Sequence, residues 1–369
     1  MQRIIKRTKK FSLSRLRRVQ VSHLRSANCL PVRKLFQLKQ PILLIFFLLF
    51  LFGCRENDNV IRLFHASYDP TREMFKDINL RYSKQFAETT GKELRIQMSH
   101  SGSGKQSRSV IDGLNADVVS LALAYDIDII AEKAEKLPND WQQKLPFSST
   151  PYYSTIVFLV RKGNPKNIQN WQDLAKPGVE VVSPNPKTSG GARWNYLAAW
   201  GAIREQGGSG MEAREFVKRL YGNVRVLDTG ARGAANTFVQ RNIGDVLISW
   251  ENEAFLAVEK MKESELQIVV PEFSILAEPP VAVISQNAYN NGRLQVAQNY
   301  LTYLYEREAQ DVIARHHFRV RDKIILKKYA EKYGKLKMFD LKKYFTNWST
   351  AQKTHFSDGG IFDQIFTQQ

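Results

Sequence analysis

The sequence predicts an α/β fold in two lobes, on three observations. Strand-like β-branched runs alternate with helix-like runs from Val60 onward, the pattern of mainly parallel sheets. The run from Ala116 to Leu123 is apolar almost throughout, as a strand buried on both faces should be. Three turns rich in glycine and small polar residues, around Ser101, Ser189 and Gly230, each lie between a strand-like and a helix-like run. Turns so far apart in the chain meet only if two sheets face each other across a cleft.

The elements follow in order. Val60 to Ala66 reads as the first strand, Ser67 to Arg72 as a turn, and Glu73 to Thr89 as a helix with Met74, Phe75, Ile78, Tyr82 and Phe86 on its apolar face. Leu94 to Met98 is the second strand. The Ser101 turn comes next, then a helix from Lys105 to Gly113, the strand ending at Leu123, and a helix carrying Ile127, Ile129, Ile130 and Ala134. Ser154 to Arg161 reads as a buried strand and Trp171 to Leu174 as the start of a short helix. Val179 to Val182 is a strand running into the stretch Pro184 to Asn195, with a helix from Trp194 to Ile203 behind it. Further strands are expected at Val224 to Leu227, Gly244 to Trp250, Leu266 to Val270 and Val281 to Ile284, and helices at Asn236 to Arg241 and Glu253 to Met261. Beyond Leu294 the pattern is helical with short breaks.

Hydrophobic residues make up 43% of the 369, enough for a full core. The net charge of +18 is misleading, because residues 1–53 hold twelve Lys or Arg and no Asp or Glu, leaving about +6 for the rest. That balance argues weakly for nucleic acid and suits an anionic ligand as well. The basic stretch is followed by the apolar run Ile42 to Phe52, too short to span a membrane comfortably, since about 20 residues are needed. Basic region, apolar core and small residue together read as a secretory signal. Leu51-Phe52-Gly53-Cys54 resembles a lipoprotein box, so Cys54 is the expected lipid attachment point, although Phe52 is bulky for its place. The two cysteines, Cys29 and Cys54, both precede the folded part, which rules out a disulfide or a cysteine metal site within it.

The Gly-rich turns carry the chemistry. Where a strand ends and a helix begins, backbone N–H groups lack intrahelical partners and the helix dipole is positive. Glycines there let the backbone come close to a small oxyanion. Ser189 alone could equally be a helix cap. The motifs Ser67-Tyr68-Asp69-Pro70-Thr71-Arg72, His100-Ser101-Gly102-Ser103-Gly104-Lys105, Ala124-Tyr125-Asp126, Ser189-Gly190-Gly191-Ala192-Arg193-Trp194-Asn195-Tyr196, Gly230-Ala231-Arg232-Gly233 and Gly244-Asp245-Val246-Leu247-Ile248-Ser249-Trp250-Glu251-Asn252-Glu253 resemble those of the periplasmic sulfate-binding proteins, over roughly residue 60 to the C-terminus.

That resemblance implies a type II periplasmic binding-protein fold, two α/β lobes closing on the ligand like a hinge. The chain would divide into a leader and signal peptide (1–53), a tether (54–59), lobe I (60–154), lobe II (155–275), a return to lobe I (276–320) and C-terminal helices packed on the lobes (321–369). It implies a periplasmic, monomeric protein that delivers sulfate to the permease subunits of an ABC importer, with thiosulfate as the nearest alternative. Carried over, the anion donors are the main-chain N–H groups of Asp69, Ser103, Gly190, Gly191 and Ala231, the Ser189 hydroxyl and the Trp250 indole N–H. No cofactor or metal is implied. Ser101 departs from the glycine common at its position.

Sulfate at neutral pH only accepts hydrogen bonds, so a cradle of donors satisfies it. Phosphate keeps a proton at pH 7 and would bury an unpaired O–H, at a cost of about 1–3 kcal/mol. No titrating group touches the ion in this scheme, so affinity should vary little between about pH 5 and 8. Arg193 and Arg232 adjoin the turns and are expected to be solvated or salt-bridged, not bonded to the ion. A nucleotide P-loop at Lys105 fails, because Ser99 and Gln106 stand where Gly and Ser/Thr are required. The histidines lack zinc spacing. Glu251 and Glu253 are read as a pair at a helix N-terminus. An enzyme acting on sulfate or phosphate esters would need a nucleophile and base that the sequence does not supply.

Overall fold

The computed structural model describes residues 59–260 and 265–366; the leader, Cys54 and the tether up to residue 58 lie outside the described residues. The fold rests on two sheets. The first has the order β9-β3-β1-β2, built from β1 (Val60–Tyr68), β2 (Glu93–Ser101), β3 (Val118–Ser120) and β9 (Val281–Val283). The second has the order β6-β5-β7-β4-β8, built from β4 (Ile156–Arg161), β5 (Val181–Pro184), β6 (Val224–Asp228), β7 (Val246–Trp250) and β8 (Leu266–Val269).

In lobe I, β1 runs parallel to β2 and β3, and β9 returns antiparallel to β3. In lobe II, β5 is parallel to β6 and β7, whereas β4 is antiparallel to both β7 and β8. The expectation of mainly parallel pairing therefore fails for β4, β8 and β9. A continuous apolar run reports burial on both faces, as in β4, where five of six residues are buried; it says nothing of direction. The chain beyond Leu294 also holds two short strands, Arg319–Val320 and Lys337–Phe339, which pair with Tyr152–Tyr153 and Phe273–Ile275.

Helices cover the sheets: α1 (Arg72–Thr90), α2 (Ser103–Ile111) and α3 (Ala124–Ala134) in lobe I, and α4 (Gly190–Glu205), α5 (Gly210–Gly222), α6 (Ala231–Val239) and α7 (Glu251–Lys260) in lobe II. Three of them begin earlier than their apolar pattern suggested: α2 at Ser103, α4 at Gly190 and α6 at Ala231. The apolar period marks only the turns that touch a core, and these first turns face the cleft instead. α1 ends where its pattern ends, with Gly91 left-handed (φ 70) as the C-cap.

The lobes are joined by crossover strands that meet at an antiparallel bridge between Ser154 and Ala277. Lobe I is packed around Phe75, Tyr82, Tyr300 and Ile313. In lobe II, α4 is buried against C-terminal aromatics: Trp348, Phe356 and Phe362 cluster with Trp194, Tyr196 and Trp200. That packing fixes α4, and with it the Ser189-Gly190-Gly191 turn at its head.

Candidate functional site

Each candidate donor stands at or just past the carboxyl end of a strand, where open α/β sheets present their ligand crevice. β1 ends at Tyr68, and Asp69 opens a short 3-10 turn (Asp69–Thr71) that leads into α1. β2 ends at Ser101, followed by α2 with Ser103 as its first residue. On the other side, β5 leads through Asn185–Ser189 to α4, β6 through Thr229 and Gly230 to α6, and β7 ends on Trp250 itself.

The amide N–H groups of Asp69, Ser103, Gly190, Gly191 and Ala231 lie in the first turns of helices, where no preceding turn supplies an acceptor. This is the orphan-donor condition of a helix start, repeated from both lobes. The Ser189 side chain caps α4 by accepting from Ala192 N–H at 3.3 Å, so its own hydrogen is left to donate outward. Both sequence readings of Ser189, cap and donor, are thus compatible.

The turns converge. A Cβ built on Gly190 would stand 3.0 Å from the Ser103 Cβ and 3.3 Å from the Ala122 Cβ, so lobe II touches lobe I here and any side chain would crowd the contact. A Cβ on Gly191 would stand 3.2 Å from Trp250 Nε1 and 3.7 Å from Ser189 Oγ. A Cβ on Gly102 would lie 3.7 Å from the Thr188 carbonyl oxygen. The head of α6 packs on the Asp69 turn, and Thr188 Oγ1 donates to the Thr229 carbonyl at 3.0 Å, tying two lobe II turns together. The Trp250 ring lies 6.0 Å from that of Tyr68, next to Asp69.

Trp250 is at the junction, but its indole N–H donates to the Gly191 carbonyl at 3.1 Å. Its one hydrogen is therefore already engaged within the protein. The arginines are engaged as well. Arg232 pairs with Glu73 across the cleft at 2.5 Å. Arg193 donates through Nε to the Pro186 carbonyl at 3.0 Å and faces Asp126 at 3.8 Å. Neither guanidinium is a free partner for an ion.

Three acidic side chains matter more than the sequence indicated. Glu251 makes a buried bidentate pair with Arg319, at 2.7 and 2.9 Å, instead of merely decorating a helix start. Glu253 is buried, its Oε1 has no partner, and burial, opposed by Arg232 and reinforced by Glu73, lifts its carboxyl to about 7. Asp126, in the first turn of α3, is fully buried and raised by burial. Their sequence signal was an acidic residue in the first turn of a helix that follows a buried strand. His100 borders the Asp69 turn; burial first, then Arg72, lowers it to about 4, so its ring is neutral at neutral pH. Among the described residues no cluster of His, Cys, Asp and Glu could hold a metal ion.

A profile of bacterial extracellular solute-binding proteins matches residues 67–319. The chain is 53% identical over 306 residues to the sulfate-binding protein of Escherichia coli strain K12, covering 83% of this chain and 93% of that one. It is 46% identical over 305 residues to the thiosulfate-binding protein of Pseudomonas aeruginosa, covering 83% and 92%. Among solved structures, the sulfate-binding protein SubI from Mycobacterium tuberculosis H37Rv superposes with a TM-score of 0.71 at 30% identity, over 80% of this chain and 99% of that one.

Proposed function

Since this chain belongs to the bacterial extracellular solute-binding protein family, we propose that it captures sulfate between its lobes and delivers it to the membrane subunits of an ABC importer. The observation that carries this reading is the meeting of helix-start N–H groups from both lobes at a point where the nearby arginines already have partners. Such a cradle offers hydrogens and no acceptor, which suits a fully deprotonated oxyanion. The donors are the N–H groups of Asp69, Ser103, Gly190, Gly191 and Ala231 and the Ser189 hydroxyl. Trp250 joins them by sharing its indole hydrogen between the Gly191 carbonyl and the ion.

Thiosulfate is the second reading, favoured by relatives named for that ligand at 46% and 42% identity. Its terminal sulfur accepts hydrogen bonds poorly but fits the same donor set. Catalysis is not part of the proposal: the relatives that support it are solute-binding proteins. The protein acts as a monomer on the outer face of the inner membrane, held there through lipidated Cys54. Mass spectrometry of the mature N-terminus tests the anchor.

Titration calorimetry with sulfate, thiosulfate, molybdate and phosphate tests the ligand. Micromolar or tighter sulfate binding is expected, with phosphate weaker by at least roughly tenfold for its unpaired proton. Equal affinity for phosphate would remove the donor-only argument.

A further inference from the structure

We infer that Ser103 and Asp126 form the selectivity element of this cleft: the Ser103 hydroxyl and Arg193 mask a carboxylate beside the anion, and stripping that mask converts the cleft to one that takes a proton-bearing oxyanion such as hydrogen phosphate. The inference rests on the anion-binding reading above. A carboxylate is an unexpected neighbour for a dianion. Yet Asp126 Oδ2 lies 3.3 Å from where a Cβ on Gly190 would stand, within the contact that brings the lobes together.

The hydrogen bonding determines what each group can do. Ser103 Oγ accepts the Ala122 N–H at 2.9 Å, so its single hydrogen is available for one acceptor, and Asp126 Oδ2 takes it at 2.5 Å. The Ser103 side chain therefore cannot also donate to a ligand; only its backbone N–H remains for that. The other carboxylate oxygen, Oδ1, faces Arg193 at 3.8 Å. The side chain of Asp126 is 2% exposed, so no water competes for these positions. One oxygen is capped by a hydroxyl and the other is balanced by a guanidinium. The anion meets a surface of donors although a strong acceptor stands directly behind it. Removing the hydroxyl frees Oδ2, which repels a dianion but accepts the proton of a P–OH group.

Calorimetry of the purified protein with sulfate and with phosphate at pH 7 tests this in wild type, Ser103→Ala and the double variant Ser103→Ala/Asp126→Ala. Alanine at 103 keeps the backbone N–H. Sulfate affinity should fall, and the phosphate-to-sulfate affinity ratio should rise at least about tenfold, the weight of one buried hydrogen bond to a charged group. The rise should vanish in the double variant. A ratio unchanged in Ser103→Ala, or a rise that survives removal of Asp126, overturns the inference while leaving sulfate binding intact. Failure of the wild-type protein to bind sulfate overturns the cleft reading itself. Should Ser103→Ala not fold, Asp126→Asn decides. Neutralising a masked but charged neighbour tightens sulfate binding severalfold, and unchanged or weaker binding with a native circular dichroism spectrum overturns the inference.

Discussion

The lobes meet on two sides, and the two contacts are built in opposite ways. At the hinge, Ser154 and Ala277 exchange backbone hydrogen bonds of 2.8 and 2.9 Å, and the buried Glu251–Arg319 pair stands beside them. At the cleft, a glycine approaches a serine without bonding to it, and the Arg232–Glu73 ion pair is about one-third exposed on each partner. Water can replace a partly exposed ion pair and fill behind a glycine at little cost. It cannot cheaply replace a buried bidentate pair. A ligand enclosed between lobes enters only if one side parts, and the contrast identifies the cleft as that side.

The largest effect is expected at the hinge. Glu251→Gln leaves the Arg319 side chain, 11% exposed, without its counter-charge. Unfolding in urea should show a loss of about 3–5 kcal/mol, the usual penalty for orphaning one member of a buried pair. A loss below about 1 kcal/mol would mean that this pair does not secure the hinge. At the cleft, Gly190→Ala inserts a methyl 3.0 Å from the Ser103 Cβ, and either the lobes stand apart or the turn shifts. Overpacking of about 1–3 kcal/mol corresponds to sulfate affinity weakened roughly 5- to 150-fold, with the melting temperature little changed. Wild-type affinity in this variant would show that closure does not bring these two residues together.

The contrast also separates what could be read in the sequence from what could not. Local rules sufficed for the strand-to-helix turns at Ser103, Gly190 and Ala231, because a glycine-rich turn between two strong patterns is a local event. Tyr82 and Phe86 on the buried face of α1 followed from the 3.6-residue period alone. The direction of β4 did not, because a two-sided apolar run has no sense. Nor did the partners of Glu251 and Asp126, or the unpartnered Oε1 of Glu253. Glu251 and Arg319 are 68 residues apart, and only the folded hinge makes them neighbours. The engagement of the Trp250 hydrogen by Gly191 depends on a rotamer, which no spacing encodes.

Glu73→Gln sharpens the comparison at lower amplitude. It removes the charge that Arg232 meets across the cleft. Because both partners are partly exposed, the pair contributes about 1 kcal/mol at most, so sulfate should bind up to roughly fivefold more weakly at low salt. Raising the ionic strength should erase the difference between variant and wild type, since screened charges no longer hold the cleft shut. A deficit that persists at 1 M salt, where screening is within about 3 Å, would point to packing instead of charge.

The smallest effect comes from Glu253, two residues from Glu251 and also buried but, unlike it, without a partner for its Oε1. Burial, with Glu73 and Asp69 adding to it and Arg232 and Lys260 opposing, lifts its carboxyl from 4.5 to about 7. The folded protein therefore holds a proton that the unfolded chain releases near 4.5. The resulting stability is full below that pH and is lost as pH rises through 7. A bound dianion in the same cleft also prefers the neutral form, so sulfate affinity should decline as pH rises through 7, by roughly threefold for a partly screened neighbour. This departs from the flat profile that the donor cradle alone predicts. Glu253→Gln, which mimics the protonated state, should restore the flat profile between pH 6 and 8. Parallel profiles in variant and wild type would assign the titration to another group and leave Glu253 without influence on the anion.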